Sequence, residues 1–143
     1  MILDDIKEKL PFMKKIKVYA FVGPSGTGKS YRAQMVAGEK GTHFIIDDGL
    51  LIKDNEVVAG ESAKKAETKV ATVKHALFYE DSEKETITKA LKKYKPDSIL
   101  ILGTSDGMVQ KIAANLGLPP VSDTTYITDV ATQKEMETAR RIR

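Results

Sequence analysis

Apolar positions along this chain change spacing in a regular alternation. Leu3, Ile6 and Leu10 recur at helical spacing before Pro11, so the N-terminus is predicted as a short amphipathic helix that stops at a breaker. "KIKVYAFV" follows, rich in β-branched and aromatic residues and almost wholly apolar over its last five positions, the pattern of a strand buried on both faces. Ala33, Val36 and Ala37 then share a helical face, and Gly38 and Gly41 supply the left-handed geometry that ends a helix. "HFIIDDG" reads as a second short strand closed by two carboxylates. "LLIKDNEVV" reads as two apolar arms around Asp54 and Asn55, a β-hairpin.

The helical period returns at Ala66, Val70, Val73 and Leu77, in a stretch that also carries Lys64, Lys65, Lys69 and Lys74. Ser82 with Glu85 three residues on has the form of a capping box, and Ile87, Ala90, Leu91 and Tyr94 fall on one face before Pro96. "SILILG" is a further buried strand. It leads through "TSDG" into Val109, Ile112, Ala113 and Leu116, a helical face ending at Gly117. "TTYIT" is a fourth strand, and Thr132 with Glu135 opens a last helix that is still amphipathic at Arg143. Buried strands alternating with helices imply right-handed crossovers. The expected fold is α/β, a three-layer parallel sheet with helices on both faces and a small β-hairpin insertion, with ligands at the carboxyl ends of the strands. Residues 1–143 are expected to form a single domain, the N-terminal part of a longer protein, because the final helix is interrupted.

Composition narrows this picture by exclusion. With 41% hydrophobic and 30% charged residues the chain is an ordinary globular one, able to bury a core. The absence of cysteine excludes a disulfide framework, a thiolate zinc site and a cysteine nucleophile, and fits a cytoplasmic protein. "VYAFV" and "ILIL" are too short to span a bilayer, and "MILDDIKEKL" lacks the apolar core of a signal peptide, so no membrane partner is expected. The net charge of +3 rests on Arg140, Arg141 and Arg143 in the terminal "RRIR", which argues against nucleic acid as a partner.

The candidate chemistry lies between the first strand and the first internal helix. "GPSGTGKS", residues 23–30, satisfies G-x-x-x-x-G-K-[S/T] at Gly23, Gly28, Lys29 and Ser30. Glycines let successive N–H groups turn inward as an anion nest, and the following helix presents its positive N-terminus to phosphates. Lys29 is placed to reach the β- and γ-phosphates, and the Ser30 hydroxyl to coordinate Mg²⁺. A solvated linker need not fall between a buried strand and a helix, which is the context a phosphate loop requires.

On these residues the chain resembles the P-loop NTPases, and the loop, with its extra Gly26, looks like those of small nucleotide and metabolite kinases and of many ATPases. "YAFVGPSGTGKS", "FIIDDGLLIK" and "ILGTSDGM" together resemble a little-characterised bacterial family of predicted ATP-binding proteins, a likeness that assigns no reaction. The general P-loop resemblance implies ATP and Mg²⁺ as cofactors. Nucleotide contacts are expected at Gly23, Pro24, Ser25, Gly26, Thr27, Gly28, Lys29, Ser30 and Tyr31, and metal contacts at Ser30 and Asp47. Asp47 follows "FII" as the metal-side aspartate follows an apolar strand in the P-loop NTPases. Lys29 and Asp48 are the candidate catalytic residues, Asp48 to orient a water or accept a proton, unless it only turns the chain at "DDG". Asp106 is the rival metal carboxylate but is expected to be the N-cap of its helix. The basic residues Lys64, Lys65, Lys69 and Lys74 are expected to form a solvated face rather than a lid, and His75 to be a packing or surface residue.

What the chain lacks also matters. Arg32 is the only arginine before the tail, whereas nucleoside-monophosphate kinases clamp phosphates with several. No N-K-x-D and no L-S-G-G-Q motif occurs, which leaves ATP as the nucleotide by elimination. The expected function is phosphoryl transfer to a small molecule or ATP hydrolysis. The alternative is a nucleotide-responsive binding module, with the second substrate or protein partner undefined. "LLIKDNEVVAGESAKK" is expected to act as a mobile flap beside the phosphates.

Overall fold

The structure, a computed structural model, describes residues 12–61 and 69–142. The expected N-terminal helix lies outside these residues, as do Lys64 and Lys65. The first strand, β1 (Lys17–Val22), runs into the Gly-rich loop and then α1 (Lys29–Lys40). Gly38 stays inside that helix. Gly41 ends it, at φ 71°, with its N–H donating back to Ala37 and Gly38. β2 (Phe44–Asp47), β3 (Leu50–Lys53) and β4 (Glu56–Gly60) follow with two-residue turns, and then α2 (Lys69–Ala76) and α3 (Asp81–Tyr94). β5 (Ser98–Gly103), α4 (Asp106–Asn115), β6 (Asp123–Tyr126), a single turn of helix α5 (Ile127–Val130) and α6 (Gln133–Ile142) complete the chain.

The strands form one six-stranded sheet in the order β4-β3-β2-β5-β1-β6. β2, β5, β1 and β6 are parallel, while β3 and β4 add antiparallel to the β2 edge. The sheet is therefore mixed, not wholly parallel, and the hairpin is no projecting flap: Phe44, Ile45, Ile46 and Asp47 pair with Lys53, Ile52, Leu51 and Leu50 across its full length. Ladder pairing of this extent outweighs the hairpin's polar tip and keeps Leu51 wholly buried.

Period-two alternation sends side chains into two cores. Val18, Ala20, Ile99 and Ile101 face α3 and α4, where they meet Ile87, Leu91, Val109 and Ile112. Phe21, Leu100, Leu102 and Ile45 face α1 and the C-terminal helices, against Val36, Ala37, Ile127 and Met136. The result is the three-layer arrangement that the apolar runs imply. Full burial of a side chain such as Phe21 or Ile101 contributes about 1.5–3 kcal/mol. This rigid double core fixes the carboxyl ends of β1, β2 and β5 side by side.

Two caps differ from expectation. The capping box of α3 is Glu80 with Glu83, not Ser82 with Glu85, because the helix begins at Asp81. Ser105, not Asp106, caps α4: its Oγ accepts from the Met108 N–H at 3.1 Å. The Thr132–Glu135 box is present, each side chain accepting from the other's backbone N–H. "TTYIT" is a strand only as far as Tyr126, after which Ile127 turns into α5 and buries its side chain against the second core.

Candidate nucleotide-binding site

The loop leaves β1 under tight steric control. The Gly23 N–H donates to the Gly103 carbonyl at 3.1 Å, tying the loop's first residue to the end of β5. A Cβ on Gly23 would lie 2.5 Å from Ile127 Cγ2, so a side chain there would displace α5. Gly26 and Gly28 take φ 75° and 91°, the left-handed region that non-glycine residues enter at a cost. Gly28 is also the N-cap of α1. Inside the turn, the Pro24 carbonyl accepts from Thr27 Oγ1 at 2.6 Å and from Lys29 Nζ at 3.0 Å. Thr27 is almost fully buried, which makes it an internal strut of the loop. The Lys29 side chain thus folds back over the loop to its second residue.

Ser30 and Asp47 meet. The Ser30 hydroxyl, in the first turn of α1, donates to Asp47 Oδ2 at 2.8 Å, seventeen residues away at the end of β2. β5 lies between β1 and β2, so the pair closes a gap of one strand. Asp48 comes next, at φ 53°, and with Gly49 at φ 85° forms a two-residue turn of the I′ kind into β3. Asp48 thus turns the chain at "DDG", and its carboxylate stands one residue past Asp47 at the same end of the sheet. Tyr31 points outward, 87% exposed, on the first turn of α1.

The other candidates are dispersed. Asp106 accepts from the Tyr126 hydroxyl at 2.8 Å, joining the start of α4 to the end of β6, and this bond holds the Tyr126 phenol above its ordinary pKa. Arg32 is anchored away from the loop's mouth: Nη1 donates to the Val130 carbonyl at 3.1 Å and Nη2 pairs with Glu135 at 2.6 Å. Glu135 is held below the usual carboxylate range, first by the Thr132 N–H and then by the Arg32 guanidinium. Lys74 lies over the Tyr79 ring at 5.6 Å. His75 is more than packing. Its Nδ1 faces Glu83 Oε2 and its Nε2 faces the Glu61 carbonyl, contacts between α2, α3 and the end of β4 that no local sequence spacing signals.

Among the described residues no three His, Cys, Asp or Glu side chains gather as a metal cluster. No helix there is long and apolar enough to cross a membrane. The donor set at the loop suits a different ion chemistry: one hydroxyl and one carboxylate, Ser30 and Asp47, both hard oxygens, beside the glycine-rich turn. That set fits Mg²⁺, which takes few protein ligands and completes its octahedron with phosphate oxygens and water.

A strand, a glycine-rich turn, a helix and an adjacent strand at this end of a three-layer α/β sheet define the class: a P-loop NTPase-type domain. Residues 19–117, from within β1 to just past α4, match the AAA family, the ATPase family associated with various cellular activities, and the chain belongs to it. No curated protein and no solved structure matches the chain.

Proposed function

We propose that this chain binds ATP with Mg²⁺ at residues 23–30 and hydrolyses it, slowly when alone. The observation that carries this reading is the 2.8 Å bond from Ser30 Oγ to Asp47 Oδ2, which brings the loop's hydroxyl and the neighbouring strand's carboxylate to one point. Ser30 would ligate the ion directly and Asp47 would hold its water shell. Mg²⁺, when bound, offsets charge on the terminal phosphates. Lys29 exchanges its bond to the Pro24 carbonyl for the β- and γ-phosphates, and the N–H groups of the loop hold oxygens in place as the γ-phosphoryl leaves. Asp48, one residue on, orients the attacking water.

Slow turnover follows from the arginines. Arg32 is committed to Val130 and Glu135, so the guanidinium that accelerates such reactions by about 10³- to 10⁵-fold must come from another segment or another subunit. The same observation favours a second reading, a nucleotide-responsive module whose bound state matters more than turnover. AAA membership supports ATP binding and hydrolysis as the family's chemistry.

Phosphate release with Mg²⁺-ATP, measured beside product analysis on a panel of small hydroxyl acceptors, separates these. Hydrolysis predicts release that Lys29→Ala lowers about 10²- to 10³-fold. Binding without release favours the responsive module, and phosphorylated acceptor without free phosphate identifies a kinase.

A further inference from the structure

The turn after Asp47 is gripped from behind. A Cβ on Gly49 would lie 2.7 Å from His75 Cδ2 and 2.6 Å from the Glu61 carbonyl oxygen. A Cβ on Gly60 would lie 2.2 Å from the Gly49 carbonyl. The imidazole therefore packs directly on the turn's backbone, which tolerates the approach only because no side chain intervenes. Its ring nitrogens reach two further elements: Nε2 is hydrogen-bonded to the Glu61 carbonyl, just past β4, and Nδ1 lies against the Glu83 carboxylate of α3, whose buried Oε2 has no hydrogen-bond partner among the described residues. His75 and Glu83 are 23% and 16% exposed. Glu83 has a second duty, since its other oxygen, Oε1, accepts from the Glu80 N–H that starts α3. Beside the ring is a cleft of about 370 Å³ floored by Phe78 and Ile87, with Ser82 and Thr86 on its wall.

We infer that His75 is a positioning residue for the metal-side turn: resting on Gly49 and holding Glu61 and Glu83, it sets the Asp47 carboxylate and couples nucleotide binding to helices α2 and α3. The inference rests on the proposed Mg²⁺-ATP site. Asp47 is two residues from Gly49, in a turn where Asp48 takes φ 53°, and contacts from outside the turn constrain where its carboxylate lies. The His75 ring supplies that constraint from one side and the Ser30 hydroxyl from the other. Movement of Asp47 toward a metal's water shell then transmits through Gly49 to the imidazole, and the cleft gives the ring room to shift.

The chain has two histidines, and His43 lies far off beside Asp54, so the two Cε1–H resonances form a probe with its own control. On addition of Mg²⁺-ATP the His75 resonance is expected to shift and the His43 resonance to stay. By calorimetry, His75→Ala is expected to weaken Mg²⁺-ATP binding about tenfold, the lower end for a residue acting behind a metal ligand, and to leave metal-free ATP binding unchanged. His75→Gln, which keeps one donor, is expected to fall between. A loss that is equal with and without Mg²⁺, or an unmoved His75 resonance in wild type, overturns the positioning role. If His75→Ala fails to fold, the Gln variant and the wild-type resonances still decide. Failure of wild type to bind ATP at all, or equal binding by Lys29→Ala, would instead reject the nucleotide site itself.

Discussion

The hairpin has two turns of the same local design and opposite circumstances. Asp48–Gly49 joins β2 to β3 and Asp54–Asn55 joins β3 to β4, and all four residues have positive φ. The first turn is at the carboxyl end of β2, with Ser30 on Asp47 and His75 on Gly49. The second is at the opposite end of the hairpin, where Asp54 meets only exposed neighbours: His43 at 2.8 Å and Lys53 at 3.6 Å. Identical turn chemistry therefore carries unequal weight. What packs on a turn, not its dihedral angles, decides whether it can position a reacting group.

The contrast can be broken at several depths. The largest effect is expected at the loop beside the first turn: under the proposed hydrolysis, Lys29→Ala removes the charge that would meet the terminal phosphates and should lower the phosphate-release rate about 10²- to 10³-fold. Next comes Gly49→Ala, which places a Cβ against Glu61 and His75 at a φ of 85°. A loss of about 1–3 kcal/mol is expected in urea unfolding. The matched change at the other turn, Asn55→Gly at φ 74°, should fall within about 0.5 kcal/mol of wild type, because the backbone there is already left-handed and the site is open. Comparable losses at both turns would remove the distinction.

The smallest effect is electrostatic. The hydrogen bond with His43, helped by the charge of Lys53, holds the Asp54 carboxyl below its usual range. A lowered folded-state pKa contributes stability that is present above the ordinary carboxylate value and lost as pH falls through the lowered one. Thermal melts of wild type and Asp54→Asn should differ slightly at neutral pH and converge in acid. A gap that widens on acidification would reverse the sign.

Much of this was legible in the chain because it depends on local pattern. The apolar runs at Val18–Val22 and Ile99–Leu102 announce strands buried on both sides, and they are. The loop's glycines announce a turn that needs positive φ, and Gly26 and Gly28 supply it. Asp54–Asn55 announces a hairpin, although not its pairing along β2, since a flap and an edge strand share the same alternation. The Glu80 cap of α3 was hidden because Ser82 and Glu85 offer the same signature two residues later, and tertiary packing of Ile87 and Leu91 selects the register. His75 was opaque for a different reason. Its partners, Glu61 and Glu83, are in other elements, so only the fold brings them to the imidazole.

The Ser30–Asp47 bond supports the proposal that Asp47 is the carboxylate of a metal site, while Asp106 accepts from the Tyr126 hydroxyl. Calorimetric titration of ATP into Asp47→Asn and Asp106→Asn, each with and without Mg²⁺, tests this most directly. The expected result is that Asp47→Asn binds ATP with an affinity no longer raised by Mg²⁺, whereas Asp106→Asn keeps the wild-type Mg²⁺ dependence. Loss of Mg²⁺ dependence in the Asp106 variant alone would contradict the assignment and move the metal to the start of α4.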